Sequence, residues 1–129
     1  DGKWVTCDRF FDATLAYQGY GRRLDVEAIR KLNDLATGGL KPDLTLLLDL
    51  NVETGIQRAV ASKQEFSDSP DGDRLEKETN AFHKRVREGY LELARREPER
   101  IKVVPVTGSI EEAHAAIVSL VEPLLVRTG

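Results

Sequence analysis

Asp8 and Arg9 stand side by side at the end of a short run of strand formers, Trp4-Val5-Thr6-Cys7. A guanidinium beside a carboxylate suits phosphate chemistry, because the arginine can bind two phosphoryl oxygens at once while the carboxylate holds a divalent metal or orients the arginine. The plainer alternative is a surface ion pair that closes a strand. In open parallel sheets, ligands bind just beyond the carboxyl ends of the strands. The positions of interest are therefore Asp8 and Arg9, then Asp49 to Asn51, then Val106 to Ser109. Other chemistry finds little support. His83 and His114 have no cysteine or second histidine at ligand spacing, so zinc is not expected. The single cysteine, Cys7, lies in an apolar run and is expected to be a small core residue rather than a nucleophile.

These positions need a scaffold. Trp4 to Cys7 is expected to be a buried strand. Asp12 to Gln18 can form a turn or two of helix, broken by Gly19-Tyr20-Gly21. Asp25 suits an N-cap, followed by Val26, Ile29, Leu32 and Leu35 at helical spacing until Gly38 and Gly39 stop the helix. Leu44 to Leu50 is a nearly continuous apolar run, as in a strand covered on both faces. Asn51 can cap the next helix, which reaches about Lys63. Glu65 to Asp73 lacks apolar periodicity and is expected to be a loop. From Asp73 a long helix carries Leu75, Phe82, Val86, Tyr90 and Leu93 on one face, and Arg95 to Arg100 ends it. Ile101 to Val106 is a third strand. Ser109 and Glu112 form a capping box for a last helix. Strands alternating with helices predict crossover units and a parallel sheet of about three strands in a single α/β domain.

The net charge of −3 argues against a nucleic-acid partner, which would need a basic footprint. No apolar run is long enough to cross a bilayer. A single cysteine fits a reducing, cytoplasmic compartment. The chain contains no methionine and opens at Asp1, so a fragment or processed chain is expected.

The run DRFFDATLAYQGYGR resembles the signature of the thymidylate kinase family, in which an Asp-Arg pair and an aromatic residue precede a short helix ending in AYQG. Similarity continues in PDLTLLLD, in Gly55 to Arg58, in Asp73-Arg74-Leu75-Glu76, in AFHKRVREGYLELA and in Ser109 to Glu112. The resemblance implies a three-layer P-loop nucleoside monophosphate kinase fold, incomplete here, with residues 1–129 forming the C-terminal part of one domain and a lid at about 59–74. It implies phosphorylation of dTMP by ATP with Mg²⁺, in a homodimer.

By the same resemblance, Arg9 contacts the dTMP phosphate and Asp8 organises the transfer centre, with Asp8 also a candidate Mg²⁺ ligand. Thr14 and Gln18 meet the base, and Tyr17 packs where a ribose 2′-hydroxyl would clash. In-line phosphoryl transfer depends on positioning and on cations that neutralise developing charge. Arg58, Lys63 and Arg74 are the lid's candidates, with Arg58 and Arg74 grouped with the catalytic residues. Val106 and Thr107 supply mostly backbone contacts to adenine. Many members carry further arginines after the position of Arg58, where this chain has Val60 and Ser62, and often a serine where Ala13 stands.

No G-x-x-x-x-G-K-S/T loop occurs anywhere in the sequence. In the family that loop and the strand before it lie N-terminal to everything visible here, and in the sheet that strand sits centrally, between the strand ending at Asp8 and the one ending at Asp49. The chain alone is therefore expected to be inactive. Two alternatives stay open: a non-catalytic α/β nucleotide-binding or interaction module with kinase-like sequence, and a related kinase acting on another monophosphate.

Overall fold

The computed structural model describes residues 2–64 and 72–128, with side chains at 2–61 and 80–127. In chain order it contains α1 (Phe11–Thr14), a π-helical segment (Leu15–Gly21), α2 (Val26–Thr37), β1 (Thr45–Asp49), α3 (Val52–Gln64), α4 (Gly72–Arg96), β2 (Ile101–Pro105) and α5 (Ile110–Thr128).

The local signals act where they stand. Asp25 accepts hydrogen bonds from the backbone N–H groups of Glu27 and Ala28 at the start of α2. Gly38 and Gly39 leave that helix with φ of 64° and 78°, the left-handed region that a residue without Cβ enters freely. Asn51 accepts from the Glu53 N–H at 2.8 Å. Ser109 and Glu112 exchange reciprocal bonds at 3.1 Å, closing a capping box on α5.

β1 and β2 pair in parallel, Thr45 opposite Ile101 and Asp49 opposite Pro105. The Val106 N–H extends this ladder by donating to the Asp49 carbonyl at 3.0 Å. The expected sheet of three strands is thus corrected to two among the described residues. Trp4 to Cys7 is coil, with Trp4 54% and Val5 84% exposed, and Cys7 is exposed rather than a core residue. The physical reason is that strand formers fold into a strand only when a neighbouring backbone takes up their N–H and C=O groups, and no described strand lies beside this run.

A second correction concerns the glycines after Gln18. Helical winding does not break there but widens into the π-helical segment and ends at Gly21. Tertiary packing accounts for this. The segment lies against α4, where a Cβ on Gly21 would sit 2.7 Å from the Phe82 ring and one on Gly89 would sit 2.6 Å from Tyr20. Arg85 on α4 donates from Nε to the Gly21 carbonyl at 2.9 Å and so satisfies an end that has no intrahelical partner.

The core gathers Leu15, Ile29, Leu93, Ala94 and Ile101, with Phe11, Tyr20, Val26 and Leu47 packed around it. Beside it Arg100, 11% exposed, meets Asp12, 6% exposed, through both terminal nitrogens at 2.8 and 2.9 Å. Arg100 also donates to Thr45 Oγ1 and to Glu97. This cluster ties α1 to the start of both strands. It also fixes where the segment carrying Tyr17 leaves the core.

Candidate functional site

Arg9 lies on a bend with φ 61°, a left-handed backbone in a residue that has a Cβ. That conformation costs roughly 1–2 kcal/mol. It accompanies a specific placement, in which the guanidinium carbon lies 4.5 Å from the centre of the Tyr17 ring. This is cation–π distance. Tyr17 in turn meets two rings of α4 edge-on, Phe82 at 5.9 Å and Tyr90 at 6.4 Å. The π-helical segment and α4 therefore build an aromatic wall, with a cation held against it.

The structure brings some of the sequence-derived candidates together and leaves others apart. Arg9 and Tyr17 share one surface, and Gln18 follows on the same segment, half-buried. Asp8 is exposed and forms no ion pair with Arg9. Thr14 is exposed at the end of α1. Arg58 is an exposed residue of α3, while Val106 is half-buried and Thr107 exposed just after β2. The side chains of Lys63 and Arg74 lie outside the described residues, as does the run 65–71. The ends of the expected lid at about 59–74 are helical, with α3 reaching Gln64 and α4 starting at Gly72.

Beyond the carboxyl end of β1 opens a cavity of about 310 Å³, lined chiefly by β1, α3 and α4. Its polar groups are Asp49, Asn51, His83, Arg87 and Tyr90. Arg87 grips Asp49 bidentately, Nε to Oδ1 at 2.8 Å and Nη2 to Oδ2 at 3.0 Å. The hydrogen bond to Asp49 raises the Arg87 pKa further above its ordinary value. Burial raises that of the Tyr90 hydroxyl, and nearby Tyr17 adds to the effect, while the Arg9 guanidinium opposes it. Tyr90 is therefore a neutral phenol near pH 7.

Sequence reasoning placed Asp49 at a strand end but did not see Arg87, and it treated Tyr90 only as part of an apolar helix face. The signal was present in the spacing. His83, Arg87 and Tyr90 recur at four and three residues, which brings them to one side of a helix.

An α/β domain with a cation set against an aromatic wall, and a cavity beyond the carboxyl end of a parallel strand, has the arrangement in which α/β proteins hold ligands at strand ends. Known proteins narrow the class. The family described as Thymidylate kinase matches residues 1–117, and the chain belongs to that family. It is 52% identical over 111 residues to a thymidylate kinase of Syntrophotalea carbinolica, covering 86% of this chain and 51% of that protein. It is 53% identical over 124 residues to one from a Synechococcus strain, covering 96% of this chain and 55% of that protein. Among solved structures, thymidylate kinase from Ehrlichia chaffeensis superposes with a TM-score of 0.64 at 28% identity, over 90% of this chain and 49% of that one. The chain thus spans about half the length of the relatives it matches. Among the described residues, no helix is long and apolar enough to cross a membrane.

Proposed function

We propose that the protein containing this chain transfers the γ-phosphoryl group of ATP to dTMP, and that residues 1–129 contribute the monophosphate-binding half of a single kinase domain. The observation that carries this reading is the Arg9 guanidinium held 4.5 Å over the Tyr17 ring, in a chain of the thymidylate kinase family. A cation fixed against an aromatic face offers a phosphate contact beside a flat surface for sugar and base. In this reading Arg9 binds the dTMP phosphate, Tyr17 closes the space of a 2′-hydroxyl, and Thr14 and Gln18 address the base. Such a site selects by occupied volume and by paired polar groups.

Arg58, Lys63 and Arg74 are proposed to bring positive charge to the transferring group from the lid at about 59–74, with Val106 and Thr107 near the adenine. Mg²⁺ would supply charge neutralisation on the ATP phosphates. The exposed carboxylate of Asp8 is a hard oxygen donor of the kind Mg²⁺ accepts. The loop that cradles ATP phosphates is absent from this sequence, so the chain by itself is proposed to be inactive. A cytoplasmic homodimer completes the reading, and exposed Leu32 and Leu35 on α2 offer apolar surface for the contact.

The test is ADP release by the full-length protein with MgATP and each of dTMP, dUMP, CMP and AMP. Strong preference for dTMP is expected, and equal rates on all four would overturn the reading. Formation of dTDP by residues 1–129 alone would overturn the assignment of this chain to one half of the site.

A further inference from the structure

Tyr90 has no part in the reaction as described, yet it sits where the two halves of the site meet. One side of its ring faces Tyr17, with ring centres 6.4 Å apart and planes at 84°. Tyr90 also lines the cavity at the end of β1, together with Asp49 and Arg87. Its backbone position is closely fixed. The preceding residue, Gly89, packs against Tyr20 with no room for a Cβ, Arg87 is forked onto Asp49, and Leu93 one turn later is buried in the core. Arg9, by contrast, projects from an exposed bend, and a free arginine side chain has many rotamers to lose when it is fixed. A rigid partner is needed to aim it.

We infer that Tyr90 is a positioning residue for Arg9: held edge-on to Tyr17 by α4, it steers the guanidinium over the Tyr17 ring and so points it at the phosphate of the bound monophosphate. The inference rests on the reading of Arg9 as the phosphate-binding group. A neutral phenol suits the task. A phenol oxygen can accept a hydrogen bond from a guanidinium N–H without offering a full negative charge, which leaves the arginine its attraction for a phosphate. Tyr17 is the ring the two share, with Arg9 4.5 Å over its centre and Tyr90 edge-on at 6.4 Å, and the Arg9 guanidinium opposes the rise in the Tyr90 pKa as a nearby cation does. The aromatic contact supplies orientation, and the helix supplies stiffness.

The experiment is steady-state kinetics of the full-length protein and its Tyr90→Phe variant, varying dTMP and ATP separately, with a thermal melt of each. Tyr90→Phe keeps the ring and its packing. The expected result is a KM for dTMP raised about three- to tenfold, the range for one lost hydrogen bond, with kcat and the KM for ATP unchanged within twofold. In an Arg9→Ala background the same substitution is expected to add no further loss, since the group it positions is gone. An unchanged dTMP KM would overturn the inference, as would equal effects on both substrates or full additivity with Arg9→Ala. A merely structural tyrosine would lower the melting temperature without selective effect on dTMP. Absence of dTMP turnover in the unsubstituted protein would instead overturn the functional reading, and this inference with it.

Discussion

Arg100 holds Asp12 with both terminal nitrogens, at 2.8 and 2.9 Å, across 88 positions of sequence. Both groups are nearly inaccessible to water, and each is the other's principal charge partner. The pair connects the first helix to the strand that begins one residue after Arg100. The segment bearing Tyr17 takes its origin from that connection.

Replacing Arg100 with methionine is expected to destabilise the protein by on the order of 3–5 kcal/mol, because it leaves the Asp12 carboxylate buried without a counter-charge. Urea denaturation of Arg100→Met measures this. The double variant Asp12→Asn/Arg100→Met is expected to recover part of the loss, since an amide is far cheaper to bury than an uncompensated carboxylate. A double variant as unstable as the sum of its singles would argue against the pairing.

The same cluster sets a dependence on pH. The hydrogen bond from Arg100 holds the Glu97 carboxyl below its ordinary value of 4.5, against an opposing effect of burial and with help from the charges of Arg100 and Lys41. A carboxylate whose pKa is depressed on folding stabilises the folded state fully above its ordinary value, and that contribution is lost as pH falls through the folded value. Melting temperature should therefore drop on acidification below about 4.5, and Glu97→Gln should flatten that drop. Identical slopes for the two proteins would show that Glu97 contributes nothing to it.

Gly89→Ala tests the close approach of α4 to the π-helical segment. A Cβ there would meet Tyr20 Cβ and Cγ at 2.6 Å, and neither atom is the free end of a flexible chain. Alanine normally favours a helix over glycine, so a gain is the naive expectation. Overpacking is expected to win, with a loss of about 1–3 kcal/mol read from a thermal melt. A stabilised Gly89→Ala would mean that the two elements can separate freely.

Tyr17→Ala in the full-length protein removes the surface over which Arg9 lies. The expected result is a fall of about tenfold or more in kcat/KM for dTMP, together with a narrower preference over the corresponding ribonucleotide. Initial rates on the two nucleotides decide it. Retained discrimination would place the sugar elsewhere.

What could be foreseen from the sequence was whatever a few neighbouring residues determine. Asp25, Asn51, Gly38 and the Ser109–Glu112 pair each set a helix boundary by a bond or a backbone angle within three residues of themselves. The apolar runs at Thr45–Asp49 and Ile101–Pro105 were long enough to fix the two strands. Trp4 to Cys7 has equal strand propensity, but a strand is a relation between two segments, and propensity describes only one. The π-helical winding of Leu15–Gly21 likewise depends on how closely α4 approaches. Within the site, Arg9 and Tyr17 were legible because one continuous motif carries both. The Asp49–Arg87 pair and Tyr90 come from segments about 40 residues apart in sequence, and only the folded chain brings them to one cavity.

The left-handed backbone at Arg9 sets stability against recognition at a single position. Most side chains with a Cβ meet a torsional penalty there, asparagine and aspartate the least, whereas glycine would escape it. An Arg9→Gly variant is therefore expected to melt no lower than the parent protein while losing its grip on a phosphate. Backbone comfort and the charge of the side chain thus pull in opposite directions at this one bend.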